Sequence, residues 1–421
     1  MTQLSTLAVL NDQGAKATLP AAIAEHRTNT LSNLEQLAVP TRRTEHWKYS
    51  AKRLGDLNAL SVNSDAANAS DEEVLQDALT LHIVNGQVDK ASLDAINSAN
   101  LGVAAKLFSE LSDEEANLVA SHAAHEHGEL EKLNTAIFSD AVFINVSKNT
   151  VLDQNILLSY THSSAGFTTP RVFITLEQSA KATFVEHLAI QDVENAFCAN
   201  QTTAVVGANA KLTVLRMNTM GTNYKTSTTT RAILKRDANF ESHSLCLGAQ
   251  MARHDLHVLM TEPGAHCLLN GVVVTKDAQH FDNHTNIEHI ASHCTSEENY
   301  RCIADDKSQI VFNGRIHIHK DAQKTLGEMN NRNLLLSSSA EIDTKPELEI
   351  YADDVKCAHG ATIGQLNEKE VYYLKTRGLT DEQARQMLTL SFVVELVRAV
   401  PILELAERWE DTLSQLLSFQ D

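Results

Sequence analysis

A cysteine and a histidine stand two residues apart in the segment VKCAHGATIG, at Cys357 and His359. On a β-strand, residues i and i+2 point to the same face, so the thiol and the imidazole would lie side by side. Both groups are ligands for iron, zinc and copper, but a metal cluster takes about four such ligands. The pair therefore predicts part of a shared metal site or, because Val355 has the same parity, a buried core thiol.

A second pair of ligand residues occurs in GRIHIHK, at His317 and His319. This is the His-x-His spacing of metal enzymes that are built on β-frameworks. The sequence assigns no third ligand, so a satisfied or solvent-facing pair is the alternative.

A third segment is dense in ligand residues. Within the stretch 280–294 it contains His280, His284, His289, His293 and Cys294. The spacing matches no zinc or haem motif. Three of these residues are metal candidates: His284, His289 and His293. A network of hydrogen bonds in a turn explains the stretch equally well.

Composition and missing motifs restrict the function. The 421 residues carry a net charge of -19, which argues against binding to nucleic acid or to an anionic membrane. The six cysteines are scattered without C-x-x-C, so neither a disulfide framework nor a zinc ribbon is expected. No P-loop, G-x-S-x-G or G-x-G-x-x-G motif is present. With no signal peptide or transmembrane stretch recognised, we expect a reduced, cytoplasmic protein.

The pattern of apolar residues divides the chain into three parts. Residues 1–135 are expected to be mainly helical, with a hairpin at Asn85-Gly86 and a helix beginning at a Ser70 cap. Residues 136–364 show short runs of period two and are expected to form β-strands. Residues 365–421 return to helical spacing.

A weak repeat runs through the β part. A small residue precedes successive alternating runs at Ala180, Ala210, Ala238, Ala265, Ser308 and Ala340. Steps of 27 to 43 residues, strand after strand, favour a stacked β-solenoid. A β-sandwich or a cupin-like barrel would also give many short strands, and a cupin-like metal-dependent enzyme would use the strand histidines.

Several of these stretches together resemble the SufB/SufD family of iron–sulfur cluster assembly proteins. The matching pieces lie in family order between residues 40 and 380: PTRRTEHWKYS, DNHTNIEHIASHCTSEENYR, FNGRIHIHKDAQKTLGEMNNRNLLLS, TKPELEIYADDVKCAHGATIGQL and VYYLKTRGLT. The form KCAHGATIG is similar to the SufD branch, because the SufB branch has a glutamate where this chain has Gly360.

The resemblance implies a right-handed parallel β-helix between helical ends. It implies a heterodimer with a SufB-like subunit through the β-helices, with Cys357 and His359 at that interface. Iron or an iron–sulfur cluster would be held transiently between the two chains, with no cofactor bound stably by the isolated chain. Whether a flavin binds in the complex stays open. The chain would be a non-catalytic scaffold for iron acquisition and cluster assembly.

The resemblance also implies further partners. A SufC-like ATPase would hydrolyse ATP, and a cysteine desulfurase with its carrier would provide sulfur. The expected ATPase-docking residues lie at the start of the C-terminal helical part: Leu366, Val371, Tyr372, Tyr373, Leu374 and Arg377. A chain without its partner would be able to pair with its own copy as a homodimer.

Overall fold

The computed structural model describes residues 3–4, 18–62, 74–123, 126, 128–138, 141–218 and 221–418. Most of this chain forms two long β-sheets that face each other, and helices cover their outer faces. One large apolar cluster fills the space between the two sheets.

The first sheet contains ten strands. In spatial order they are β2 (Gln87–Val88), β1 (Leu79–Val84), β5 (Ile156–His162), β8 (Lys181–Ile190), β10 (Lys211–Asn218), β12 (Asn239–Leu247), β14 (His266–Thr275), β16 (Thr295–Ala304), β18 (Thr325–Leu335) and β20 (Val355–Gly364). All neighbours are parallel except β1 and β2, which form the predicted antiparallel hairpin.

The second sheet contains the strands that alternate with these along the chain. In spatial order they are β3 (Val103–Leu107), β4 (Val142–Val146), β7 (Arg171–Leu176), β9 (Ala196–Val206), β11 (Lys225–Leu234), β13 (Met251–Met260), β15 (His280–His289), β17 (Gln309–Ile318) and β19 (Glu341–Ile350), while β6 (Gly166–Thr168) pairs with β9. Each circuit of the chain adds one parallel strand to each sheet. The β-solenoid prediction is therefore confirmed, and the sandwich and cupin-like barrel alternatives are wrong.

The corners of the solenoid explain the sequence repeat. Asn209 and Asp237 adopt positive φ angles of 56° each, and the small residue after each one is buried under the turn. Ser308 and Ala340 also precede strands, as predicted, but these strands are β17 and β19 of the second sheet. Two corners of the first sheet are missing from the series. At His293-Cys294 the histidine has a φ of 61° and Cys294 is buried, and at Lys324-Thr325 the lysine has a φ of 60° and Thr325 is buried.

The N-terminal helices lie against the second sheet and the start of the solenoid. They are α1 (Ala21–Leu34), α2 (Ala51–Leu54), α3 (Lys90–Ser98), α4 (Asp113–Ala123) and α5 (Glu129–Ile137). Three short 3-10 helices join them: Glu45–Trp47, Leu57–Ala59 and Phe108–Glu110. Ser70 lies outside the described residues, and the helix predicted from it is wrong at residues 74–78, which form a turn before β1.

Three helices follow the solenoid: α6 (Glu368–Thr376), α7 (Asp381–Arg398) and α8 (Leu403–Leu416). α7 and α8 pack on the outer face of the first sheet, and α6 packs on α7. Thr380 and Gln383 form the predicted capping box at the start of α7. Trp409 of α8 is buried in an apolar cluster with outward-facing residues of the first sheet. This packing fixes α7 and α8 along the solenoid.

The two ends of the solenoid differ. At the beginning, α3 packs on β1 and β3 and buries Leu93 and Ile96 against the solenoid core. At the other end, β19 and β20 are the outermost strands of their sheets, and large apolar side chains are exposed on them or beside them: Ile350, Tyr351 and Ile363. The terminal turn is therefore an uncovered edge in the described chain.

Candidate functional site

The Cys357–His359 pair lies on this terminal turn. Both residues belong to β20, whose neighbour β18 places Gly327 beside Cys357 and Met329 beside His359. Cys357 is partly buried and His359 is exposed. The two ligand residues therefore share one side of a strand whose other edge is unpaired in the described structure.

Cys357 differs from the other five cysteines, all of which are fully buried. Burial raises the pKa of the thiols at Cys198 and Cys246 to about 11 each, and of Cys302 to about 12. Partial burial also raises the pKa of Cys357, and a hydrogen bond from the backbone at Gly327 offsets this rise only in part. Since the thiolate is the metal-binding form, Cys357 needs a change of surroundings to become a good ligand.

The ligand residues of segment 280–294 do not lie together in the structure. His289 points into the solenoid and contacts the Ser296 hydroxyl, with 2.9 Å between Nε2 and Oγ. His293 and Cys294 form a corner. Burial lowers the pKa of His280 and of His289 to about 4, so both imidazoles are neutral at pH 7.

His280 and His284 face outward and join a buried network with the N-terminal region. The Nε2 atom of His280 lies 2.8 Å from the Ser50 hydroxyl, which itself donates to Asp282. His284 pairs with Asp282 at 2.8 Å, and Arg253 does so at 2.7 Å. Two stretches that are distant in sequence, TEHWKYS and DNHTNIEH, are thus held together at this network.

Trp47 completes this junction. The Arg253 guanidinium lies 4.2 Å from the centroid of the Trp47 ring, and the ring nitrogen donates to Glu129 at 3.0 Å. Beside it is a cleft of about 420 Å³ that extends over the second sheet to Arg315 and Lys345. Its lining contains both acidic and basic side chains, so the cleft favours neither an anionic nor a cationic ligand.

The predicted ATPase-docking residues are not equivalent. Tyr372 and Tyr373 of α6 are 70% and 55% exposed, and Arg377 lies over the Tyr373 ring at 5.3 Å. Val371 is buried, whereas Leu366 and Leu374 are partly buried. The exposed tyrosines and Arg377 form a surface, and Val371 packs the helix behind it.

Comparison with known proteins identifies the family. Residues 159–392 match the SufBD core domain, described as SUF system FeS cluster assembly, and residues 2–158 match the SufBD protein N-terminal region. The chain belongs to the SufBD family. The resemblance found in the sequence is therefore confirmed.

Three relatives match the chain along most of its length. The iron–sulfur cluster assembly protein SufD of Escherichia coli is 29% identical, covering 88% of this chain and 87% of the relative. A SufBD family protein of Synechocystis is 28% identical, covering 97% of this chain and 94% of the relative. A chloroplastic protein of Arabidopsis thaliana is 26% identical, covering 93% of this chain and 85% of the relative. Among the described residues, no helix is long and apolar enough to cross a membrane.

The SufBD fold also brings one unpredicted residue to the His317–His319 pair. Glu288 on β15 is the register partner of His317 on β17, and its Oε2 lies 3.2 Å from Nε2 of His319. The repeat contains the missing signal, because Glu288 precedes His317 by 29 residues, the spacing of neighbouring turns. Aligning successive turns at their corners would have placed Glu288 beside His317.

Proposed function

We propose that this protein is a non-catalytic scaffold subunit for iron–sulfur cluster assembly, which pairs with a SufB-like subunit through the terminal turn of its solenoid. One observation carries the proposal: Cys357 and His359 lie at an uncovered strand edge and supply only two of the ligands that a cluster needs. A related solenoid that stacks on β19 and β20 would bring the remaining ligands. Iron and sulfide are here the material being assembled, shared transiently between the chains.

The exposed edge supports pairing at this end. Parallel strands with unpaired backbone groups and exposed apolar side chains favour addition of another strand. Solenoids also need a cap on each end to hide the apolar interior. Here α3 covers the first end, while the described chain leaves Ile350, Tyr351 and Ile363 exposed at the second.

The C-terminal helices support a second contact, with a SufC-like ATPase. Tyr372, Tyr373 and Arg377 form an exposed aromatic and cationic surface on α6, of the composition that is enriched in protein interfaces. The chain itself lacks a P-loop, so we assign ATP hydrolysis to that partner. A desulfurase and its carrier would provide the sulfur.

The first experiment measures cluster content. The chain is co-expressed with SufB-like and SufC-like partners, and the complex is purified without oxygen. We expect Cys357→Ala and His359→Ala to leave the complex intact but to reduce iron, sulfide and visible absorption. Lys356→Ala, an exposed neighbour on the opposite side of β20, is the control. Unchanged cluster content in the Cys357→Ala complex would make Cys357 a structural thiol.

A second experiment tests the surface. Ile363→Lys places a charge on the exposed edge of β20, and we expect it to weaken pairing with the SufB-like chain and any homodimer of the isolated chain. Val151→Lys, at an early turn of the solenoid, is the matched control because Val151 is 58% exposed. Equal pairing of both variants in size-exclusion chromatography with light scattering would place the interface elsewhere.

A further inference from the structure

Three ligand side chains converge on the outer face of the second sheet, away from Cys357 and His359. Glu288 and His317 are partners on neighbouring strands, and His319 follows two residues after His317. Their donor atoms all lie within 4.8 Å of one another. In the part of the chain that the structure describes, this is the one set of three His, Cys, Asp or Glu residues with that proximity.

We propose that Glu288, His317 and His319 form a binding site for a divalent transition-metal ion. Two imidazoles and one carboxylate are the donor set of three-ligand Zn²⁺ sites and of Fe²⁺ sites with open positions. Mg²⁺ and Ca²⁺ prefer oxygen ligands, so the two imidazoles select against them. Three protein ligands on a partly exposed surface leave the remaining positions to water.

The present spacing lies within side-chain rotation of what an ion requires. Metal–ligand bonds of about 2.0–2.2 Å at tetrahedral angles place two donors about 3.3–3.6 Å apart. Oε2 of Glu288 and Nε2 of His319 already lie 3.2 Å apart. The widest pair of donors, which lies within 4.8 Å, closes by at most about 1.5 Å as the side chains rotate. The rings of His317 and His319 are already stacked, with 4.2 Å between their centroids. The backbone register therefore places all three ligands before any ion binds.

Neighbouring residues orient the ligands. Asn286 donates to Oε1 of Glu288 at 3.2 Å, while Oε2 faces His319. Arg315 pairs with Glu349 through contacts of 2.9 and 2.7 Å, and its Nη2 lies 3.1 Å from Nδ1 of His317, so an ion bound at this nitrogen replaces the contact with the guanidinium. Two carboxylates against one guanidinium leave a negative charge to attract a cation. The contact of Asn286 with Glu288 is of the kind that holds a metal ligand in place.

The test is metal binding by the full chain, which needs no partner. Cys357 and His359 are first replaced by alanine, so that they contribute no ligands. Equilibrium dialysis against Co²⁺ or Zn²⁺ without oxygen should then show one bound ion per chain. We expect His317→Ala and Glu288→Gln each to weaken binding at least about tenfold, since loss of a supporting residue alone costs that much.

His46→Ala is the matched control. The His46 imidazole pairs with Glu129 at 3.0 Å, and no group of three ligands includes it among the described residues. It should bind as the parent does, with melting temperatures confirming that all variants are folded. Binding that is absent in the parent, or equal in the His317→Ala and Glu288→Gln variants, would overturn the metal site. Neither result depends on cluster assembly at Cys357.

Discussion

Replacing Asp282 by asparagine tests whether a buried charge network holds the N-terminal region on the second sheet. The Asp282 side chain is 1% exposed, accepts from Ser50 and pairs with Arg253 at 2.7 Å. Removing one partner of a buried ion pair costs about 3–5 kcal/mol, because the other charge loses its compensation. Arg253 keeps two bonds to Asp255, at 2.7 and 2.6 Å, so we expect the low end, about 3 kcal/mol.

That free energy converts into a measurable change in melting temperature. An unfolding entropy of about 2.1 cal/mol/K per residue gives about 0.9 kcal/mol per degree for 421 residues. Asp282→Asn should therefore lower the melting temperature by about 3 °C at pH 7, followed by circular dichroism. Glu241→Gln removes an exposed pair with Lys211, whose side chains are 41% and 19% accessible, and should change it by less than about 1 °C.

The contribution of Asp282 to stability should also depend on pH. Burial opposes ionisation of Asp282, but His284 and Arg253 outweigh it and hold its pKa well below the ordinary 3.8. A depressed carboxyl pKa stabilises the fold above the unfolded value and loses that effect as the pH falls below it. The difference in melting temperature between the wild type and Asp282→Asn should therefore become smaller below about pH 4. A variant that melts within 1 °C of wild type at pH 7 would refute the network's contribution.

Three further predictions concern the solenoid and its helices. Burial raises the pKa of Glu298 from 4.5 to about 7, against a hydrogen bond from Thr285, so about 3 kcal/mol of stability should be lost as the pH rises through that window. Glu298→Gln should remove this slope from melting temperatures measured against pH. A maleimide should label one thiol of the folded chain, faster as the pH rises, and Cys357→Ala should abolish the labelling; a second labelled thiol would contradict the burial of the others. Trp409→Ala should cost about 3–5 kcal/mol and expose α7 and α8 to protease, whereas Tyr372→Ala, 70% exposed, should do neither.

The solenoid was predictable because its corners repeat in sequence. Positive-φ residues followed by a small buried residue recur at each turn, and they impose both the spacing and the change of texture near residue 136. The pattern does not distinguish the corners of the first sheet from those of the second. Ser308 and Ala340 belong to the second sheet, and Cys294 fills the place expected of an alanine in the first.

The chemistry was less predictable, because residue density along the chain is not proximity in a parallel sheet. His280 and His289 are nine residues apart, yet one contacts Ser50 outside the sheet and the other contacts Ser296 inside the solenoid. Alternation of side chains along β15 separates them. Conversely, Glu288 and His317 adjoin because of register between turns, which local spacing does not reveal. The role assigned to Cys357 and His359 stays a prediction.

Two deficits meet on the terminal turn: β20 has an unpaired edge in the described structure, and Cys357 with His359 makes an incomplete ligand set. If the chain capped this end itself, Cys357 would become as inaccessible as the five buried cysteines. Leaving the end uncovered keeps the thiol within reach, but it also exposes an edge that promotes unwanted pairing. A partner chain that pairs with β20 and contributes ligands resolves both deficits in one step. A purely structural role for Cys357 explains neither of them, and this is why we favour a site shared between two chains.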